Sequence, residues 1–122
     1  MAVRNKRVNG LRIYIAGPYT AETQEQQLAN AYVAIDAGIA VLLKGHFPFV
    51  PHLSHWVDMR AREEGIKLKW EDYIDWDMEW LRQCDALLFL GTSRGANLEL
   101  EEAQKLNKSI YLSLDKIPSV KN

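Results

Sequence analysis

The sequence predicts a doubly wound α/β fold of three layers, flavodoxin- or Rossmann-like, with a four- to five-stranded, mainly parallel sheet in the order 2-1-3-4. Three observations predict it. β-branched or apolar runs alternate along the chain with stretches of helical periodicity, the pattern of parallel strands joined by right-handed helical crossovers. The run 86–90 (ALLFL) is continuously apolar, as a strand covered on both faces has to be. Residues 47–50 contain Pro48 and precede Pro51; proline cannot donate a ladder hydrogen bond, so this strand belongs at a sheet edge.

The elements follow in order. Residues 11–17 (LRIYIAG) read as a first strand closed by Gly17-Pro18. Leu28, Ala31, Tyr32, Ile35, Ile39 and Leu42 recur at helical spacing, which predicts one long amphipathic helix stopped near Gly45. After the proline-marked strand, residues 53–68 read as helical only in part. Trp70, Tyr73, Ile74, Trp80, Leu81 and Cys84 mark a second clear helix, followed by the strand 86–90 and a turn at 92–95. A third helix over 96–107 carries Ala96, Leu100, Ala103 and Leu106, and 109–114 is a last strand. The polar ends, 1–10 and 117–122, read as flexible tails of a single domain that takes up the whole chain, 1–122.

Composition narrows the function. Fifteen Lys plus Arg stand against sixteen Asp plus Glu, so no global positive field gathers a nucleic-acid polymer or an anionic membrane. One cysteine, Cys84, excludes an internal disulfide and a thiolate-rich metal site, which suits a cytoplasmic protein. The longest purely apolar run, 39–43, is too short to span a bilayer, and Arg12 interrupts the apolar stretch behind Arg4, Lys6 and Arg7 where a secretory segment would be continuous.

In a 2-1-3-4 sheet the ligand crevice opens between the carboxyl ends of strands one and three, flanked by the loops 17–20 and 91–95. Neither a G-x-G-x-x-G turn nor a G-x-x-x-x-G-K-[ST] loop occurs, which tells against NAD and ATP. Ser93, Arg94 and Gly95 run into the N–H groups that open the third helix, a place for a phosphate or carboxylate, or an ordinary strand-to-helix turn. Asp77 lies in the middle of the apolar stripe of its helix, where desolvation would raise its pKa and suit it to hold or donate a proton. Glu99 shares a face with Ala96, Ala103 and Leu106, in the first helical turn, where the dipole favours the ionised form that a nucleophile needs. Each could instead be a satisfied buried acid, Asp77 bonded to a tyrosine and Glu99 closing its own helix terminus. His52, His55 and Trp56 leave the second strand toward the crevice, as pocket walls or as ordinary loop residues. His46, His52 and His55 show no metal-binding pattern, so no metal is expected. Asp85, roughly 15 to 20 Å from the carboxyl edge by strand length, is structural. Trp70, Trp76 and Trp80 read as core or subunit contacts, with Trp76 off the main stripe as a mark of an oligomer interface.

Three segments resemble the nucleoside 2-deoxyribosyltransferase superfamily, which includes a 2'-deoxynucleoside 5'-phosphate N-hydrolase branch. They are 13–19 (IYIAGPY), similar to its first strand and glycine loop; 77–85 (DMEWLRQCD), similar to its aspartate-bearing helix; and 93–103 (SRGANLELEEA), similar to its nucleophile segment. The resemblance implies that Glu99 attacks the anomeric carbon of a deoxynucleoside or deoxynucleotide, that Asp77 protonates the leaving base, and that Ser93 and the Gly95 backbone meet a 5'-phosphate or 5'-hydroxyl. It also implies that Tyr19 belongs to the pocket beside Gly17, that no cofactor takes part, and that the subunit forms a homodimer or higher homo-oligomer. The hydrolase branch places serine and arginine for the phosphate in the first loop where this chain has Pro18 and Thr20, which leaves the need for a phosphate open; the Gly17-Pro18 pattern is closer to the transferases, which are commonly longer, so transfer to a second base and hydrolysis both stay open. A non-catalytic nucleotide-sensing module of the same fold, or a purely structural interaction protein, are the competing expectations.

Overall fold

The computed structural model describes residues 9–120. Strands β1 (Arg12–Ala16), β2 (Phe47–Phe49), β3 (Ala86–Phe89) and β4 (Ser109–Tyr111) form one all-parallel sheet in the order β2-β1-β3-β4. Helices α1 (Gln24–Leu43), α2 (Ser54–Glu63), α3 (Trp70–Gln83) and α4 (Arg94–Lys105) connect and cover them. This is the doubly wound, three-layer order that the sequence predicts, with Pro48 on the edge strand where a missing N–H donor costs no ladder bond.

β1 is the central strand, and its period-two alternation builds both halves of the core. Ile13 and Ile15 face α1, in a cluster with Ala34, Val41 and Leu88. Tyr14 and Ala16 face the other way, against Leu81 of α3 and Ala96 and Ala103 of α4. Complete burial of branched side chains such as Ile13, Ile15, Leu87 and Leu88 contributes about 1.5–3 kcal/mol each, so the middle of the sheet is the main source of stability.

Helix α1 differs from the expected amphipathic stripe. Thr23 caps it, accepting the Gln26 N–H at 3.1 Å. The residues that bury against the sheet are Ala31, Ala34, Ala37, Gly38 and Val41, while Tyr32, Ile39 and Leu42 stand about half exposed. Small residues win the inner face because the helix lies close to β2: a Cβ on Gly38 would come within 2.8 Å of Val50 Cγ2. By length and composition alone α1 could cross a membrane; here its small-residue stripe lies on the sheet.

Residues 53–68 resolve into a 3-10 turn at Pro51–Leu53, then α2, then an irregular link after Gly65, whose φ of 72° ends the helix. β4 stops at Tyr111, short of the expected 114, and its last partner on β3 is Leu88. The C-terminal tail is a larger correction. Ile117 is 1% exposed within the α1-side core, the Pro118 carbonyl accepts from His46 Nε2 at 2.6 Å, and the Val120 N–H donates to the Lys44 carbonyl at 2.7 Å. Residues 117–120 are therefore packed structure. The rest of the expected tails, 1–8 and 121–122, lie outside the described residues.

Candidate active site

A cavity of about 440 Å³ opens at the carboxyl ends of β1 and β3, at the point where the strand order reverses. Its walls include all eight residues singled out from sequence: Gly17, Tyr19, His52, Asp77, Ser93, Arg94, Gly95 and Glu99. Gly17 makes the first loop possible, since a Cβ there would lie 3.0 Å from Leu90 Cβ. His52 is buried and donates from Nε2 to the carbonyls of Gly17 at 3.0 Å and Pro18 at 3.2 Å. Two carbonyl acceptors fix the proton on Nε2; Nδ1 is then a buried lone pair with no partner among the described residues. Burial lowers the His52 pKa against the upward pull of those carbonyls, which keeps the ring neutral. Its role is to hold the first loop as well as to line the cavity. Tyr19 is tied down by its hydroxyl, 2.7 Å from His55 Nδ1, and by its carbonyl, which accepts from Asn30.

The two acids come from different helices. On α3, Trp70, Tyr73, Ile74 and Asp77 share one face at helical spacing and all reach the cavity. Asp77 is 8% exposed, its Oδ1 has no hydrogen-bond partner among the described residues, and burial pushes its pKa up to about 7. The alternative of a tyrosine-satisfied acid fails at that oxygen, because the neighbouring Tyr73 hydroxyl donates to Asp58 instead.

Glu99 corrects the expectation in two ways. Helix α4 begins at Arg94, so Glu99 sits in the second turn, beyond the free N–H groups of the terminus. Burial raises its pKa to about 8, opposed by the hydrogen bond that Tyr14 Oη donates to Oε2 and assisted by the charge of Asp77. The helix terminus does not hold it ionised. Both carboxyls are lifted toward neutrality and share one cavity, Asp77 by burial alone and Glu99 by burial with the charge of Asp77 added. The donor from Tyr14 falls on Glu99 alone and draws its pKa down; with that bond in place Glu99 stands at about 8 and Asp77 at about 7, close enough that the two titrate as a pair.

The wall opposite the first loop is built by the start of α4. Ser93 is its cap, accepting the Ala96 N–H at 3.0 Å, and Arg94 and Gly95 supply the first helical N–H groups. The Arg94 guanidinium lies 4.1 Å from the centroid of the Trp70 ring, a cation–π contact that holds a cation at the cavity wall. An anion here would meet an arginine and a helix N-terminus.

Sequence reasoning missed Tyr14 and one side of α2. Tyr14 looked like an ordinary strand residue, yet its period-two position puts a polar hydroxyl inside a parallel sheet, which demands a partner. Ser54, Asp58 and Arg62 repeat every four residues along α2 and line the cavity. Asp58 accepts from Tyr73 Oη at 2.7 Å and from Arg62 Nε at 2.9 Å, so that wall is polar and internally paired. The three histidines serve separate ends: His46 bonds the Leu11 N–H and Pro118 near the start of β1, away from His52 and His55. Asp85 stands at the amino end of β3, where, against the upward push of burial, bonds from Arg12 hold its carboxyl below the usual range.

Fold and cavity together define a small doubly wound α/β protein with a buried carboxyl pair at its switch point. The chain belongs to a family described as a domain of unknown function (DUF4406), whose model matches residues 11–112. That membership does not itself indicate the nucleoside 2-deoxyribosyltransferase superfamily. No curated protein matches the chain.

Proposed function

We propose that this protein cleaves the N-glycosidic bond of a 2'-deoxynucleoside or its 5'-monophosphate and passes the deoxyribosyl group to a second base or to water. The observation that carries this reading is the pair Asp77 and Glu99: two desolvated carboxyls from separate helices facing one cavity, one with a hydroxyl donor and the other without.

Tyr14 occupies Oε2 of Glu99, which leaves Oε1 to attack the anomeric carbon. As the new C–O bond forms, the C–N bond breaks, and Asp77 gives its proton to the departing base. The product of that step is a deoxyribosyl ester of Glu99, reached through an oxocarbenium-like transition state. Water or a second base then attacks the same carbon and expels Glu99, while Asp77 takes the proton back. Two inversions give net retention. The scheme uses no metal and no redox cofactor. Ser93, Arg94 and Gly95 are the side of the cavity suited to a 5'-phosphate or 5'-hydroxyl, and Tyr19, Gly17 and His52 shape the opposite side.

The test is to incubate the protein with deoxynucleosides and their 5'-monophosphates, with and without a second free base, and to follow free and exchanged base by chromatography. Released or exchanged base that disappears in Glu99→Gln supports the reading. Saturable binding of these compounds with no turnover, and unchanged affinity in Asp77→Asn, would replace it with a nucleotide-sensing module.

A further inference from the structure

The cavity is divided by the kind of hydrogen bond each side can offer. Strand order sets the sides: α2 follows β2, α4 follows β3, and β1 lies between those strands. The α4 side offers donors, in the Arg94 guanidinium and the first helical N–H groups. On the α2 side the nitrogen and phenol side-chain donors are already spent inside the protein. His52 Nε2 donates to the carbonyls of Gly17 and Pro18, Tyr73 Oη donates to Asp58 Oδ1 at 2.7 Å, and Arg62 Nε donates to Asp58 Oδ2 at 2.9 Å. The rest of Arg62, 60% exposed, stands at the open rim. What this side keeps is acceptor capacity. Each Asp58 oxygen has a further lone pair, and the lone pairs of His52 Nδ1 and Asp77 Oδ1 have no partner among the described residues. The Ser54 hydroxyl, next along α2, can turn either way.

We propose that the α2 wall selects the base, and that it selects one with an exocyclic amino group beside a ring nitrogen whose lone pair is free, as in adenine and cytosine. This rests on the reading of Asp77 as proton donor to the leaving base. With the sugar at Glu99 and its 5' end toward the donors of α4, the base extends toward Asp77 and α2. Asp58 is bonded to Tyr73, one turn of α3 before Asp77, so its carboxylate stands beside the place where the base takes its proton. The ring nitrogen receives the Asp77 proton while the neighbouring amino N–H donates to Asp58, as a carboxylate reads the cytosine amine in a nucleic-acid groove. An oxo group in place of the amine, as in hypoxanthine or uracil, sets a carbonyl oxygen against that carboxylate. Tyr73 and Arg62 hold Asp58 in place, so it cannot swing aside to offer a donor instead. Specificity of this kind comes from opposed lone pairs as much as from the bond that is gained.

Substrate pairs that differ by one amino group test this: 2'-deoxyadenosine against 2'-deoxyinosine, and 2'-deoxycytidine against 2'-deoxyuridine. For the full chain, kcat/KM should favour the amino member of each pair by about 100-fold. Asp58→Asn, whose amide can turn a donor to the base, should shrink both ratios by about 10-fold, and the change in ratio cancels intrinsic differences between the leaving groups. Tyr73→Phe breaks the same bond between α2 and α3 but keeps the carboxylate, so its ratios should stay near those of the parent protein. If none of the four compounds is turned over, the glycosidase reading fails on its own. Calorimetry of the unaltered chain with adenine, hypoxanthine, cytosine and uracil then reads the wall directly, and the amino bases should bind about 10-fold tighter than their oxo partners. Equal kcat/KM or affinity within the pairs, a preference for the oxo members, no binding of any base in the absence of turnover, or ratios that Asp58→Asn leaves unmoved would overturn the inference.

Discussion

Tyr14, in the middle of the central strand, donates its hydroxyl to Oε2 of Glu99, which reaches it from α4. A hydroxyl placed by strand alternation thus meets a carboxylate placed by helical spacing, across 85 residues of chain. Burial holds the Tyr14 pKa well above its ordinary value, so it remains a donor throughout the working range.

Tyr14→Phe removes that donor with little change of shape. The bond lowers the Glu99 pKa, so its loss should move the acidic limb of the rate profile to higher pH and reduce turnover near neutrality by about 10- to 100-fold. Leaving a buried carboxyl oxygen unpaired should cost about 1–3 kcal/mol of stability. A pH–rate profile and thermal denaturation check both; an unshifted acidic limb would detach Tyr14 from the chemistry.

The carboxyl pair should give turnover a narrow bell-shaped pH dependence. Glycosyl transfer needs one proton on the pair: with two there is no nucleophile, and with none there is no acid for the leaving base. With the two groups lifted to about 7 and about 8, kcat should peak between those values and fall on either side, as the apparent behaviour of the pair. A plateau reaching down to pH 5 would contradict a buried, protonated pair.

Stability should respond in the opposite sense to that of an ordinary salt-bridged acid. Both folded-state pKa values lie above the ordinary values of 3.8 and 4.5, so the native state binds more protons than the unfolded one. Stability from these groups is complete below about pH 4 and is lost as pH rises through 7 and 8. Glu99→Gln, which cannot ionise, escapes that loss. Its Tm relative to the parent protein should rise by several degrees between pH 5 and pH 9, a change on the order of a few kcal/mol, while turnover disappears. An equal Tm gap at both pH values would mean that folding leaves the Glu99 pKa where it is in the unfolded chain.

The layers, strand order and cavity walls were legible because each is written locally: a doubly apolar β3, a proline-marked β2, and acids out of place on apolar helix faces. The orientation of α1 was not, since periodicity marks where apolar residues recur and is blind to which of two apolar faces the sheet will accept. Close approach at Gly38 decided that, and it is a tertiary fact. The Glu99 environment failed for a related reason. A helix boundary two residues earlier moves a side chain out of the terminal turn, and the tyrosine that receives it lies on a strand far away in sequence. The C-terminal segment, short and mixed in composition, carries Ile117, whose burial no local pattern announces.

That residue, Ile117, makes the last prediction. Its side chain completes the α1-side core, and the backbone around it is fixed from three directions: His46 Nε2 on Pro118, Lys44 Nζ on the Ile117 carbonyl at 3.1 Å, and the Val120 N–H on the Lys44 carbonyl. His46 can serve the clasp because its Nδ1 accepts the Leu11 N–H at 3.0 Å, which leaves the proton on Nε2 to donate. All of this lies around the amino ends of β1 and β2, at the opposite edge of the sheet from the cavity. Ile117→Ala should therefore cost about 2–5 kcal/mol, a fall in Tm on the order of 10 °C, while kcat and KM of the folded protein stay unchanged. Denaturation and steady-state kinetics on the same sample check this, and a change in KM without a loss of stability would place the C-terminal segment in the site instead of the core.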